Sequence, residues 1–378
     1  MAEGSKIRVL IADDSAFMRK VLLSILAADP QIDVVGEARD GVEAVSQAES
    51  LRPDVITMDI NMPHMDGLKA TEVIMSTKPR PVVVVSSESR DGAEVTLKAL
   101  ELGAIDFVAK PSSGIDLDMN TVREELVRKV KVASKVRVVR TAARIAVPAH
   151  RSAEPATLFP APPRSNGSSA SSGSDAQRPG GKFPIVVLAA STGGPATLMQ
   201  LMPLFPKNFP GSVLIVQHMP GSYTAQFSEQ LSGVSSIRIS EASPGEIVQS
   251  GCAYVCPGSH HLRLSTTGRI TLDDGPRING YRPCADVTLE AVASYAGPMA
   301  VSVVLTGMGN DGSRGVQAIK EANGHVIAQD ESSSIIFGMP AEAIRTGSVD
   351  QVVSLDQVYP AIEKRVLYIL GAARVGAL

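Results

Sequence analysis

The fold class predicted is α/β, as two doubly wound, mostly parallel-sheet domains, the second carrying an antiparallel addition. Three observations predict it. Short apolar runs rich in Val and Ile alternate with helical patterns in both halves of the 378-residue chain. The first polar residues after many of these runs are chemically reactive ones, as expected where open parallel sheets expose their C-terminal strand ends. Between the halves, residues 138–182 are dominated by Pro, Ala, Ser, Gly and Arg, as in Pro160-Ala161-Pro162-Pro163. Such a segment buries too little apolar surface to offset its ordering entropy and is expected to be a flexible linker. The expected domains are therefore 1–137 and 183–378.

In the first domain the strands are expected at Ile7–Ala12, Ile32–Gly36, Val55–Met58, Val82–Val85 and Ile105–Val108, with helices over 15–28, 41–50, 67–77, 91–102 and 119–137. Right-handed crossovers would bring the strand ends to one edge. Asp13 and Asp14 close the first strand, Asp59 the third and Ser86 the fourth, and Lys110-Pro111 follows the fifth. Carboxylates gathered this closely repel one another, and a divalent cation removes the conflict. Mg2+ favours such oxygen ligands. Asp59 could then attack the phosphorus of a small phosphodonor, with Lys110 pairing with the phosphoryl group and Ser86 hydrogen-bonding one of its oxygens. The alternative, three unrelated caps and turns, fits one of these aspartates better than three.

In the second domain strands are expected at Ile185–Ala190, Val213–Gln217, Cys252–Val255, Leu262–Leu264, Ile270–Leu272, Val301–Leu305 and His325–Ala328, and helices over 195–202, 222–231, 287–296, 313–322 and 340–345. The run through 252–272 reads as hairpin-like succession, hence the antiparallel addition. Three strands end in chemistry. Ile185–Ala190 runs into Ser191-Thr192-Gly193-Gly194-Pro195, Val213–Gln217 into His218-Met219-Pro220, and Val301–Leu305 into Thr306-Gly307-Met308-Gly309-Asn310-Asp311-Gly312. A serine hydroxyl becomes a useful nucleophile when a neighbouring base takes its proton. Histidine does this near neutral pH, and a carboxylate orients it. The glycines let backbone N–H groups approach a reacting carbonyl. Each residue also has a structural reading: Ser191 as a turn cap, His218 as a packed histidine, Asp311 as a cap for the helix near Ser313. No Gly-x-Ser-x-Gly elbow is present, which disfavours a standard α/β-hydrolase.

Composition narrows the classes further. A net charge of −3 argues against nucleic acid as the main partner, and 4% aromatic residues without tryptophan leave no stacking platform for single strands. No basic helix-turn-helix follows the linker. Three cysteines and no secretory signal point to a reducing cytoplasm. No apolar run reaches the roughly 20 residues of a membrane span. Cys252 and Cys256, with His260 and His261 close behind, superficially resemble metal spacing. They read better as buried small residues around a strand.

The first constellation resembles the response-regulator receiver domain, a flavodoxin-like fold. The resemblance implies Asp13, Asp14 and Asp59 as the metal-binding carboxylates, with the backbone carbonyl of Asn61, within Met58-Asp59-Ile60-Asn61-Met62-Pro63, completing the Mg2+ set. It also implies Asp59 as phosphoacceptor, Ser86 and Phe107 as switch residues, and Lys110 as phosphoryl partner. With the linker, Ala190-Ser191-Thr192-Gly193-Gly194-Pro195, Gln217-His218-Met219-Pro220, Arg282-Pro283-x-x-Asp286 and Leu305-Thr306-Gly307-Met308-Gly309-x-Asp311-Gly312, the whole chain resembles the chemotaxis protein-glutamate methylesterase (CheB) family. That implies a Rossmann-like catalytic domain with Ser191 as nucleophile, His218 as general base and acid, and Asp311 as orienting carboxylate. The backbone N–H groups of Met308 and Thr192 are implied as oxyanion donors. The implied substrate is a glutamyl γ-methyl ester on cytoplasmic methyl-accepting chemotaxis receptors, with deamidation of receptor glutamines as a second activity. A chemotaxis histidine kinase is the implied phosphodonor, and no cofactor is implied at the esterase site. Cys284 stands where relatives often carry Ser and reads as a structural substitution. The competing class is a non-enzymatic receiver-linked regulator whose second domain only binds a partner.

Overall fold

The computed structural model describes residues 6–87, 90–110, 119–136 and 183–375. The expected linker, 138–182, lies outside the described residues. The N-terminal unit runs β1 (Ile7–Ala12), α1 (Ala16–Ala27), β2 (Ile32–Ala38), α2 (Gly41–Leu51), β3 (Val55–Asp59), α3 (Gly67–Thr77), β4 (Val82–Ser86), α4 (Arg90–Glu101), β5 (Asp106–Ala109) and α5 (Met119–Ala133). Its five strands pair in parallel in the order β2-β1-β3-β4-β5. Every residue of β3, β4 and β5 is buried, which is why these strands read as continuous apolar runs rather than alternating ones. The chain leaves the sheet at Asp13, Asp59 and Lys110 along one edge, as the sequence predicts.

The C-terminal unit runs β6 (Ile185–Ala190), α6 (Gly194–Leu201), β7 (Ser212–Gln217), α7 (Gly221–Val234), β8 (Arg238–Glu241), β9 (Cys252–Val255), β10 (His261–Leu264), β11 (Ile270–Asp273), α8 (Ala285–Ala296), β12 (Ala300–Val304), α9 (Ser313–Glu321), β13 (His325–Gln329), α10 (Met339–Arg345), β14 (Gln351–Val353) and α11 (Leu355–Val375). Seven strands form one sheet in the order β14-β13-β12-β6-β7-β9-β8, and every pairing in it is parallel. The antiparallel element is present, but as a separate two-stranded sheet of β10 and β11. It lies beside α8, where the Thr288 hydroxyl donates to the Leu262 carbonyl at 2.8 Å. Three elements were not expected from sequence. β8 and β14 are only four and three residues long, and the 21-residue α11 carries Pro360 inside it.

The sheet order positions the chemistry. β6 is central, with β12 and β7 on either side, and Ala189 pairs with Val304 while Ala190 pairs with Gln217. The residues following these three strands are therefore neighbours, although they are far apart in sequence. Ser191 N–H donates to the Thr306 carbonyl at 3.0 Å, and His218 N–H to the Ala190 carbonyl at 3.0 Å, so the ladder continues into the loops.

The two units share a packed face. α4 lies against α6 and α7, and one buried cluster joins Leu97, Leu100 and Phe107 to Leu198, Met202 and Tyr223. The Phe107 and Tyr223 rings stand 4.5 Å apart.

Candidate active site and phosphoacceptor site

At the receiver-like edge Lys110 Nζ lies 2.8 Å from Asp59 Oδ2 and 2.9 Å from Asp13 Oδ2. Asp13, Asp14 and Asp59 each offer an oxygen within 4.8 Å of the others, with Asp14 exposed and the other two buried. Burial pushes the Asp59 carboxyl above the usual carboxylate range and Asp13 adds to this, while Lys110 works against it. Lys110 is held in its ammonium form despite burial, because Asp59 and Asp13 outweigh the desolvation. Asp13 Oδ2, buried, has Lys110 beside it as an ion pair but no well-aligned hydrogen bond. An all-oxygen set with surplus negative charge and an under-satisfied buried oxygen fits a hard cation such as Mg2+. Ser86 Oγ donates to the Gly92 carbonyl at 3.3 Å. Phe107 is buried against Tyr223, and Asn61, two residues after Asp59, is exposed.

At the second edge His218 Nε2 is 2.7 Å from Asp311 Oδ2. Asp311 is 3% exposed, and its carboxylate accepts more than this one bond. Ala285 N–H donates at 2.6 Å, Asp286 and Gly312 N–H at 3.0 Å each, and the Cys284 thiol at 3.1 Å. Burial would raise its pKa, but the bond to His218 and the backbone donors prevail and hold it below the usual carboxylate range. Of the two roles open to Asp311, the helix cap is not the one it takes. The helix at Ser313 starts from Gly312 with no side-chain cap. Asp311 instead faces the N-terminus of α8, where free N–H groups favour an anion. Cys284 is the residue immediately before α8, at its N-cap position. Burial and the neighbouring Asp311 push its thiol up to about 12, so it stays a protonated donor.

Ser191 is 6% exposed and shares one cavity of about 290 Å³ with His218. Among the described residues no hydrogen bond reaches the Ser191 hydroxyl, and His218 Nδ1 is buried without a partner. With Nε2 committed to Asp311, Nδ1 is the ring nitrogen left to take a proton from the nucleophile. Gln217 fixes the turn by donating to the carbonyls of Ser191 at 2.9 Å and of His218 at 3.1 Å. Two glycines are required by geometry. Gly193 adopts φ +78° at the start of α6, and a Cβ on Gly307 would lie 2.4 Å from Met339 Sδ and 2.8 Å from Ser191 Cβ.

The cavity's other wall comes from the first unit: Asp106, Glu124, Glu125, Arg128 and Lys129. Asp106 Oδ2 accepts from the Thr192 hydroxyl at 2.6 Å, beside the serine. Asp106 Oδ1 is 3.0 Å from Lys129 Nζ, which also pairs with Glu125 at 2.9 Å. Arg128 Nη1 lies 3.5 Å from Met308 Sδ. Both residues expected to supply oxyanion N–H groups are thus in contact with the receiver-like unit. Tyr281 stacks on His218 with centroids 4.4 Å apart and planes 17° from parallel. Tyr281, Lys129 and Asp106 carry no strand-end signal in the sequence. Cys252, Cys256 and Cys284 are buried free thiols, and Cys252 and Cys256 belong to no metal-sized cluster among the described residues.

Comparison with known proteins adds the deciding observation. The response regulator receiver domain family matches residues 9–121, and the CheB methylesterase family matches residues 186–362. A protein-glutamate methylesterase/protein-glutamine glutaminase of Pyrococcus abyssi is 43% identical over 380 aligned residues, covering 99% of this chain and 97% of its own. The chain belongs to the CheB family. A relative of the same name from Symbiobacterium thermophilum is 42% identical over 95% of this chain and 97% of its own. The Thermotoga maritima CheB methylesterase catalytic domain, known from a crystal structure, is 37% identical, covers 50% of this chain and 98% of its own, and superposes with a TM-score of 0.47. Membership in the CheB family sets aside the purely binding regulator. No described helix is long and apolar enough to cross a membrane.

Proposed function

We propose that the chain is a receiver-controlled serine esterase. It hydrolyses glutamyl γ-methyl esters on methyl-accepting chemotaxis receptors in the cytoplasm and deamidates receptor glutamines. Residues 1–137 form the receiver, 138–182 the tether and 183–378 the catalytic domain. The single observation that carries this reading is the buried His218–Asp311 bond at the sheet edge that also bears Ser191.

Ser191 Oγ attacks the ester carbon while His218 takes its proton at Nδ1. The carbonyl oxygen becomes an oxyanion held by the backbone N–H groups of Met308 and Thr192, each such donor contributing roughly 3–4 kcal/mol of barrier lowering. As the tetrahedral intermediate collapses, His218 returns the proton to the departing methoxide, giving methanol and an acyl-Ser191 ester. Water then attacks this ester, His218 taking its proton and returning it to Ser191 Oγ, which frees the glutamate. Asp311 stabilises the imidazolium and stays ionised throughout. With a glutamine side chain the leaving group is ammonia.

In the receiver, Asp59 takes a phosphoryl group from a chemotaxis histidine kinase or a small phosphodonor. Its carboxylate oxygen bonds to phosphorus as the bond to the donor breaks. Asp13, Asp14 and Asp59, with the Asn61 backbone carbonyl, would hold Mg2+, which when bound offsets the charge of the carboxylates and phosphoryl oxygens. Lys110 pairs with the phosphoryl group and Ser86 hydrogen-bonds it. Ser86 and Phe107 then carry the change to the shared face, since Phe107 packs on Tyr223 and its neighbour Asp106 binds Thr192. Release follows to the extent that phosphorylation favours the separated arrangement over the packed one.

Methanol release from methylated receptor membranes tests the nucleophile. Ser191→Ala is expected to abolish it while leaving Asp59 phosphorylation intact. Unchanged release would remove Ser191 from the mechanism.

A further inference from the structure

We propose that Tyr281 is a positioning residue for the general base. Its ring holds the His218 imidazole in the plane that keeps Nε2 on Asp311 and leaves Nδ1 for the Ser191 proton. The proposal rests on the esterase reading above. A single hydrogen bond to Asp311 fixes one ring nitrogen, but the imidazole can still tilt about that bond. A second ring 4.4 Å away and nearly parallel removes that freedom.

Tyr281 is itself held at both ends. Ile278 N–H donates to the Tyr281 carbonyl at 3.0 Å and Tyr281 N–H to the Ile278 carbonyl at 2.9 Å, closing a tight turn. The next residue, Arg282, donates through Nη1 to the carbonyls of Asp274 at 2.8 Å and Gly275 at 3.0 Å. The phenol end rests on the oxyanion loop, where a Cβ on Gly309 would lie 2.1 Å from the hydroxyl. Burial raises the phenol pKa although Arg128 opposes it, so the stacking ring is neutral at working pH. Three residues beyond Tyr281 the same segment supplies Cys284, Ala285 and Asp286, all donors to Asp311. One short stretch, 281–286, therefore holds the base from its face and its carboxylate partner from the far side. Small misplacements of a reacting group cost large factors in rate, of order a hundredfold per Å, so a ring-orienting contact belongs in kcat rather than in substrate binding.

The test measures methanol release against receptor concentration, using the full chain, methylated receptor membranes and a small phosphodonor. Tyr281→Leu, which removes the ring, is expected to lower kcat about tenfold with KM within about twofold. Tyr281→Phe, which keeps the ring, recovers kcat to within about threefold of the parent. A Tyr281→Leu protein with parental kcat, a loss confined to KM, or a Tyr281→Phe protein as slow as Tyr281→Leu would each overturn the proposal. An NMR measurement on the unmutated protein guards against misfolded variants: the His218 ring protons are expected upfield from the ring current of Tyr281, and ordinary shifts contradict the stack. Ser191→Ala runs alongside. If it retains methanol release the esterase reading fails, whereas the NMR signature judges the Tyr281 stack independently.

Discussion

The two sheet edges of this molecule solve opposite electrostatic problems. At the receiver edge, Asp13, Asp14 and Asp59 are crowded together, and one lysine bridges two of them at 2.8–2.9 Å. Burial leaves the Asp59 carboxyl raised. At the esterase edge, a single buried carboxylate, Asp311, collects two backbone N–H groups at the start of α8, its neighbour's N–H, a thiol and an imidazole, and is held low. The first arrangement carries surplus negative charge that a divalent cation would offset, so its charge state is free to change. The second is balanced in advance, so its geometry is ready for chemistry. The same parallel-sheet architecture thus supports a switch at one edge and a preorganised catalyst at the other, and what separates them is how many donors each carboxylate finds.

The contact between the edges joins them physically. Lys129 is buried between Asp106 and Glu125, and Asp106 reaches the Thr192 hydroxyl. Lys129 is held as an ammonium although burial works against it, because Asp106 and Glu125 prevail.

The largest effect is expected at the balanced edge. Asp311→Asn leaves His218 without its anionic partner, and kcat for methanol release is expected to fall by about four powers of ten. A loss of less than about tenfold would mean the carboxylate is only structural. Next comes the link between the edges. Lys129→Met leaves the buried Asp106 and the partly exposed Glu125 without their shared cation, which weakens the packed arrangement. Unstimulated methanol release is expected to rise about tenfold, equivalent to about 1.4 kcal/mol in the packing equilibrium. A variant with unchanged unstimulated activity and normal phosphorylation would detach this network from control.

The smallest effect sharpens the balanced side. The Cys284 thiol, ordinarily near 9.0, is pushed up to about 12 by burial and Asp311. Its folded-state pKa is raised, so its contribution to stability is complete below about 9 and is lost as pH rises toward 12, because the unfolded chain ionises first. Cys284→Ser removes the titrating group while keeping a donor for Asp311. Urea midpoints at pH 8 and pH 10 should therefore diverge less in the variant than in the parent, and equal divergence would contradict the assignment.

Much of this was legible from sequence because parallel strands hide their identity poorly. Ile185–Ala190 and Val82–Val85 are uninterrupted apolar runs, and Ser191, Ser86, His218, Asp59 and Lys110 stand out as polar groups at or just beyond the ends of such runs. What stayed hidden was what side chains do across long separations. The sequence presents Asp311 as an orienting carboxylate or a local helix cap, and nothing local reveals that its donors come from the start of α8, 25 and 26 residues earlier. Asp106 and Thr192 are 86 residues apart and meet only where the two units pack. Tyr281 follows a loop, and its ring has no periodic pattern to betray it. The sequence presents Cys284 as a structural substitution, and the structure adds that its thiol donates to Asp311.

The unbalanced edge is proposed to govern the balanced one. The most direct measurement is methanol release from methylated receptor membranes by the parent protein and by Asp59→Asn, each with and without a small phosphodonor. Phosphodonor is expected to stimulate the parent and leave Asp59→Asn unstimulated. Equal stimulation of both proteins would contradict it.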